Sequence, residues 1–167
     1  MSKSSIRFTL RWLTVSAVVV LLGHTSAMAG DHAPQMYRIT GIWNARVNIT
    51  NCEPGNVPGS IVFASFDTMN AFVADGTFLD ANATNPTTQS GHLGYWRHIG
   101  GRRYEFAQKF FLFDAGGTSI GWRIVRHEVE LARNGFGFTS RGTAETFDIN
   151  GVLLTTGCST ASAIRFN

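Results

Sequence analysis

Five turn signals punctuate the chain at short intervals: Asp75-Gly76, Gly100-Gly101, Asp114-Ala115-Gly116-Gly117, Asn134-Gly135 and Asn150-Gly151. Each supplies the positive-φ positions that tight hairpins need. The runs between them are rich in Phe, Trp, Tyr, Val, Ile and Thr, residues that favour a pleated, half-buried surface. No stretch keeps a 3.6-residue apolar period beyond about two turns, so little helix is expected. Strands are predicted near 38–50, 60–66, 69–75, 77–82, 92–99, 103–113, 119–132, 136–147 and 152–166. Two stretches read as irregular: 52–59, which holds Pro54, Gly55, Pro58 and Gly59, and 82–91, which is polar and interrupted by Pro86.

Alternation within the runs tells which side is buried. From Trp43 the odd positions read Trp43, Ala45, Val47 and Ile49, and the even ones Asn44, Arg46, Asn48 and Thr50. One face is apolar and the other wet, as in the wall of a barrel or a sandwich. After Ile120 the apolar set is Val125, Val129 and Leu131, against Arg126, Glu128 and Glu130, and His127 falls on the apolar side. In the run from Arg103, Tyr104, Phe106, Phe110 and Leu112 share a face, but Phe111 and Phe113 load the other. Alternation alone does not orient the second half of that strand.

The N-terminus has the three-part form of an export signal. Lys3, Arg7 and Arg11 make a positive region, residues 12–23 an apolar one, and Ala27-Met28-Ala29 a small-residue cleavage site. About 12 apolar residues are too few to span a bilayer, which takes about 20, so no stable membrane span is expected. Residues 1–29 are thus read as a cleavable signal peptide, residues 30–167 as one barrel domain, and the protein as exported, periplasmic or secreted. The formal net charge of +3 is carried by the three basic residues of the signal. What remains is close to neutral, with Lys109 as its one lysine and its arginines interleaved with acids. Nucleic acid is therefore not an expected partner, since such a partner calls for a dense basic face.

Outside the reducing cytoplasm, the two cysteines, Cys52 and Cys158, read as a disulfide. It closes a loop of about a hundred residues, for which chain entropy gives about 4 to 5 kcal/mol. Consecutive strands joined by short hairpins form a meander, and a meander of about eight strands removes its open edges by pairing its last strand with its first. The expected fold class is therefore all-β, a single antiparallel up-and-down barrel of about eight strands closed by first–last pairing. If Cys52 faces Cys158 in antiparallel register, the same register brings Arg165 beside Trp43 and Ala45 at the far end of the two strands.

That pairing carries a resemblance. Gly41-Ile42-Trp43 on the first strand and Arg165 on the last resemble the Gly-x-Trp and closing Arg of lipocalin-like, or calycin, barrels. The resemblance implies that Arg165 packs on Trp43 and plugs one end, which is worth about 0.5 to 2 kcal/mol as a cation–π contact. The small barrels of the allene oxide cyclase and dirigent type are also similar. Neither a Thr-Asp-Tyr motif nor the helix that follows the barrel in typical lipocalins is found.

With the Trp43–Arg165 end closed, the mouth is expected towards Cys52 and Cys158, flanked by residues 54–59. Small side chains on the last strand, Ala161 and Ala163 among them, face rings such as Phe106, Phe136 and Phe138 and leave room for a pocket. These residues, with His127, form the expected ligand-binding set. The leading functional expectation is an exported binder of a small hydrophobic or amphipathic molecule, without cofactor or metal, and oligomerisation is open. His92 and His98 share a parity but stand about 20 Å apart along an extended strand, too far to share a metal. A second expectation is a cyclase or isomerase, as the resemblance to allene oxide cyclase-like barrels allows, with His127, Tyr104 and Glu105 as the groups to watch for proton transfer. A third is an inhibitor-like module that displays the loops at 52–59 or 82–91 to a protein partner.

Overall fold

The computed structural model describes residues 38–166. The proposed signal peptide and its cleavage site lie outside them. Eight antiparallel strands follow one another: β1 (Gly41–Glu53), β2 (Val57–Phe72), β3 (Thr77–Asn82), β4 (His92–Gly100), β5 (Arg103–Phe113), β6 (Ser119–Leu131), β7 (Gly137–Asp148) and β8 (Leu153–Arg165). Each pairs with its sequence neighbours, and β8 pairs back to β1, so the sheet closes on itself. All five turn signals close hairpins. In three of them an aspartate ties the turn: Asp75 Oδ1 accepts from the backbone N–H of Thr77, Asp114 Oδ1 from those of Gly116 and Thr118, and Asp148 Oδ1 from those of Asn150 and Val152.

Two of the predicted boundaries differ. The runs at 60–66 and 69–75 are one strand, β2. Asp67, in the gap between the two predicted runs, is an outward position of the strand, where the carboxylate takes a 2.9 Å hydrogen bond from Arg46 across the β1–β2 ladder. Residues 52–59 are not an irregular loop either, but the ends of β1 and β2 with a short turn between them. Pro58 fits in β2 because this part of the strand pairs with β1 on one side only, so its missing N–H breaks no second ladder.

One end of the barrel is packed solid. Trp43, Phe72, Phe78, Val129, Leu131 and Phe138 are buried there together with Ile39. Phe72 sits at the centre, edge-on to Phe78 at 4.9 Å and to Phe138 at 5.8 Å between ring centroids. Trp43 faces Arg165 in the β1–β8 register, and the guanidinium carbon lies 4.3 Å from the indole centroid. Arg165 then donates outward from the plug: Nε to Gly135 O at 2.8 Å, Nη1 to Thr40 O at 3.0 Å, and Nη2 to Arg38 O. Gly41 is needed for this contact, since its φ is +129° and a Cβ there would stand 2.9 Å from Arg165 Nη1.

The disulfide joins Cys52 to Cys158 with Cα atoms 5.3 Å apart. The residue facing Cys158 is Thr50, not Cys52: the β1–β8 register runs unbroken from Trp43–Arg165 to Thr50–Cys158, whereas the β1–β2 ladder shifts at a bulge around Thr50, where β2 carries the extra residues. Past this bulge the β1–β2 tip does not flank the mouth. Asn56, Val57 and Pro58 share a surface groove with Glu105, Arg126, Glu128 and Arg141, all on the outward face of β5–β7. The disulfide therefore pins a hairpin to the barrel's outside. No helix of the described residues is long and apolar enough to cross a membrane.

Candidate functional site

Above the apolar floor the inner wall changes character. A cavity of about 130 Å³ is lined by Val47, Ile49, Phe66, Phe106, Val125 and Ala161 on its apolar side, and by Thr68, Asn70, Asp80, Asn82, His92, Gln108, Arg123, His127, Ser140 and Ser159 on its polar side. Thr84 and Gln89, from the connection between β3 and β4, complete the rim. This connection is ordered by its own side chains. Asn82 Oδ1 accepts from the Thr84 hydroxyl at 2.5 Å and from Gln89 Nε2 at 2.7 Å.

Three groups organise the polar wall. The first is Asp80, whose side chain is 5% exposed. The alternation that buries Phe78 on β3 also turns Asp80 inward, between Asn70 of β2 and His92 of β4 in the ladder. Its Oδ1 accepts from Thr68 Oγ1 and, at 2.8 Å, from Asn70 Nδ2. Its Oδ2 lies 2.7 Å from His92 Nδ1 and accepts from Gln108 Nε2 at 3.4 Å. A buried carboxylate is tolerable when it is surrounded by donors in this way. The His92 ring is stacked flat on Phe110, centroids 3.8 Å apart, and its Nε2 lies 3.4 Å from Asn82 Nδ2.

The second group is His127 on β6. Both ring nitrogens meet serine hydroxyls, Nδ1 with Ser140 at 2.9 Å and Nε2 with Ser159 at 2.8 Å. One serine accepts and the other donates, as a neutral imidazole requires. Burial pushes the imidazole pKa down to about 4, against a smaller upward pull from the charge of Asp80. His127 is therefore neutral at neutral pH. Its ring fits because the facing residue on β7 is Gly142: a Cβ there would lie 1.8 Å from Arg126 O and 2.6 Å from His127 Cδ2.

The third group is Arg123, four residues earlier on the same inward face of β6. Its Nε donates to Thr146 Oγ1 at 2.9 Å, and its guanidinium carbon lies 6.0 Å from the Phe110 centroid. Burial lowers its pKa from the ordinary arginine value. No ion pair of the described residues includes it, whereas Arg46, Arg97, Arg102 and Arg126 all meet acids on the outer wall.

The residues singled out from the sequence are distributed as follows. Phe106, His127 and Ala161 line the cavity. Phe138 and Ala163 face inward but lie in the packed floor. Phe136 precedes β7 and is 51% exposed, so it does not face the interior. Tyr104 is buried in the floor, while Glu105, its neighbour, points outward and binds Arg97 at 2.5 Å. Tyr104 and Glu105 thus stand on opposite faces of β5. His98 is exposed, with Nε2 2.8 Å from Gly101 O. Among the described residues no group of three or more His, Cys, Asp or Glu is placed to hold a metal ion.

The sequence reading did not single out Asp80, Asn70 or Arg123 as part of a site. The signal was there: in Phe78-Leu79-Asp80-Ala81-Asn82 the parity that buries the phenylalanine places Asp80 and Asn82 beside it. Compared with known protein families, curated proteins and solved structures, the chain has no significant match.

Proposed function

We propose that this is a small-molecule-binding barrel of the lipocalin-like kind, which holds a compact amphipathic ligand between an apolar floor and a polar belt. The observation that carries the reading is the cavity itself, which has one apolar and one hydrogen-bonding side. Its size sets the occupant. A space of about 130 Å³ resembles the ~150 Å³ that accepts a benzene ring and falls below the ~300 Å³ at which drug-sized pockets begin. The Gly41-Ile42-Trp43 segment and the stacking of Arg165 on Trp43 support the kinship. The Cys52–Cys158 bridge supports export to an oxidising compartment.

The test is native mass spectrometry of the purified protein, followed by extraction and identification of whatever small molecule leaves it. Ala161→Leu, which fills the cavity from β8, should abolish that retention and keep the fold. A wild-type protein that retains nothing, and whose melting temperature is unmoved by a panel of one-ring alcohols, acids and amines, would refute the reading.

A second reading is favoured by one contact. His92 lines the cavity with Nδ1 facing Asp80, and its Nε2, 3.4 Å from Asn82 Nδ2, is the nitrogen left for a substrate, the disposition of a general base oriented by a carboxylate. On this reading the barrel is an isomerase-type enzyme that works mainly by holding its substrate. Turnover by wild type that disappears in His92→Gln, with ligand affinity kept, would establish it.

A further inference from the structure

We infer that the ligand class is a one-ring hydroxycarboxylate, with its carboxylate on Arg123 and its hydroxyl donated to Gln108; the inference rests on the binding reading above. Arg123 is a half-buried cation on the inner wall with one protein acceptor, Thr146 Oγ1, on Nε. Among the described residues its two terminal nitrogens have no acceptor. The fork they present is matched in geometry by a carboxylate.

The charges around the site are few. Among the described residues Asp80 is the one carboxylate that lines the cavity, and its oxygens are already met by Thr68, Asn70, Gln108 and His92. His127 stands two inward positions deeper on β6, beyond Val125, with both nitrogens engaged by serines. The local acid is thus hydrogen-bonded and leaves the guanidinium unmatched.

Gln108 supplies an independent observation. It is 8% exposed, and its Oε1 is buried without a partner. The amide cannot be turned round to cure this, because its Nε2 faces Asp80, which only accepts. A ligand hydroxyl turned toward Oε1 supplies the missing donor. In the ladder Gln108 faces Val125, and Arg123 is the next inward residue on the same strand, facing Phe110. Diagonal inward neighbours of this kind stand about 7 to 8 Å apart, a spacing that a para-substituted ring can bridge with a hydroxyl at one end and a carboxylate at the other. Phe106, Val125 and Ala161 offer the apolar walls for that ring.

The experiment compares three probes by calorimetry on the purified protein: 4-hydroxybenzoate, benzoate, and neutral 4-hydroxybenzyl alcohol. Wild type should bind 4-hydroxybenzoate at least tenfold more tightly than either of the others. Arg123→Gln should lose the preference for the anion and still bind the alcohol, and Gln108→Met should lose only the preference for the hydroxyl. Should Arg123→Gln fail to fold, added salt should weaken binding of the two anions to wild type and leave the alcohol unchanged. Equal affinity for all three probes, or an anion preference that survives in Arg123→Gln, would overturn the inference and leave the binding reading standing. Failure of every probe, charged and neutral, would overturn both.

Discussion

His127 shows what one inward polar residue does to stability. Its folded-state pKa of about 4 lies below the ordinary histidine value near 6.5, because the buried ring resists charge. Above that ordinary value both folded and unfolded chains hold it neutral, and its environment is fully tolerated. As pH falls from about 6.5 towards 4, the unfolded chain takes up a proton that the folded barrel refuses, so stability drops across that window by about 3 kcal/mol and levels off below it. Urea denaturation at pH 7 and at pH 4.5 should show a larger loss for wild type than for His127→Gln; equal losses would mean the ring is hydrated. The facing position is just as constrained. Gly142→Ala drives a Cβ into Arg126 O and the imidazole, and should cost at least about 2 to 3 kcal/mol by the same measurement. Of this constellation His127 was legible from parity alone. Asp80 was not, because alternation was read as apolar inside and polar outside, and a solvated acid is the ordinary meaning of Asp in a short strand. What overturns it is the company of Thr68, Asn70, His92 and Gln108, and register, not local sequence, brings them together.

At the scale of elements, β1 bears two tasks. Its first half forms the plug with Arg165 and its second half carries the bridge to β8. Trp43→Ala empties the most crowded part of the floor and should lower stability by about 3 to 5 kcal/mol. Cys158→Ser should lower it by about 2 to 5 kcal/mol, through the entropy returned to the unfolded chain, while the far-ultraviolet spectrum stays that of the barrel. Loss of the strand signal in Cys158→Ser would show that the β1–β8 ladder cannot hold the ring alone. The hairpins were plain in the sequence because their turns are chemically marked. The joining of two predicted runs into β2 was not, since Asp67 looks like a break until Arg46 is seen across the ladder. Phe136 misled for a similar reason: it reads as the first inward ring of β7, yet the strand begins after it.

For the whole molecule, ring closure was the most legible property, because Trp43, Cys52, Cys158 and Arg165 sit at the two ends of a chain that otherwise meanders. The gradation of the interior, rings at one end and hydrogen-bonding groups at the other, was less so, being a property of eight strands read together. Closure by β1 and β8 also has a consequence in time. The partner of β1 is the last of the eight strands to be made, so the ladder from Trp43–Arg165 to Thr50–Cys158 cannot begin until residues 153–165 exist. Until then both outer strands carry unpaired backbone edges, the condition that invites pairing with other chains. Contacts so distant in sequence place folding in the slow range of all-β proteins, about milliseconds to seconds. The barrel thus closes as a unit only once β8 has been made, and this strand, which brings Ser159 and Ala161 to the cavity wall, decides when that cavity comes into being.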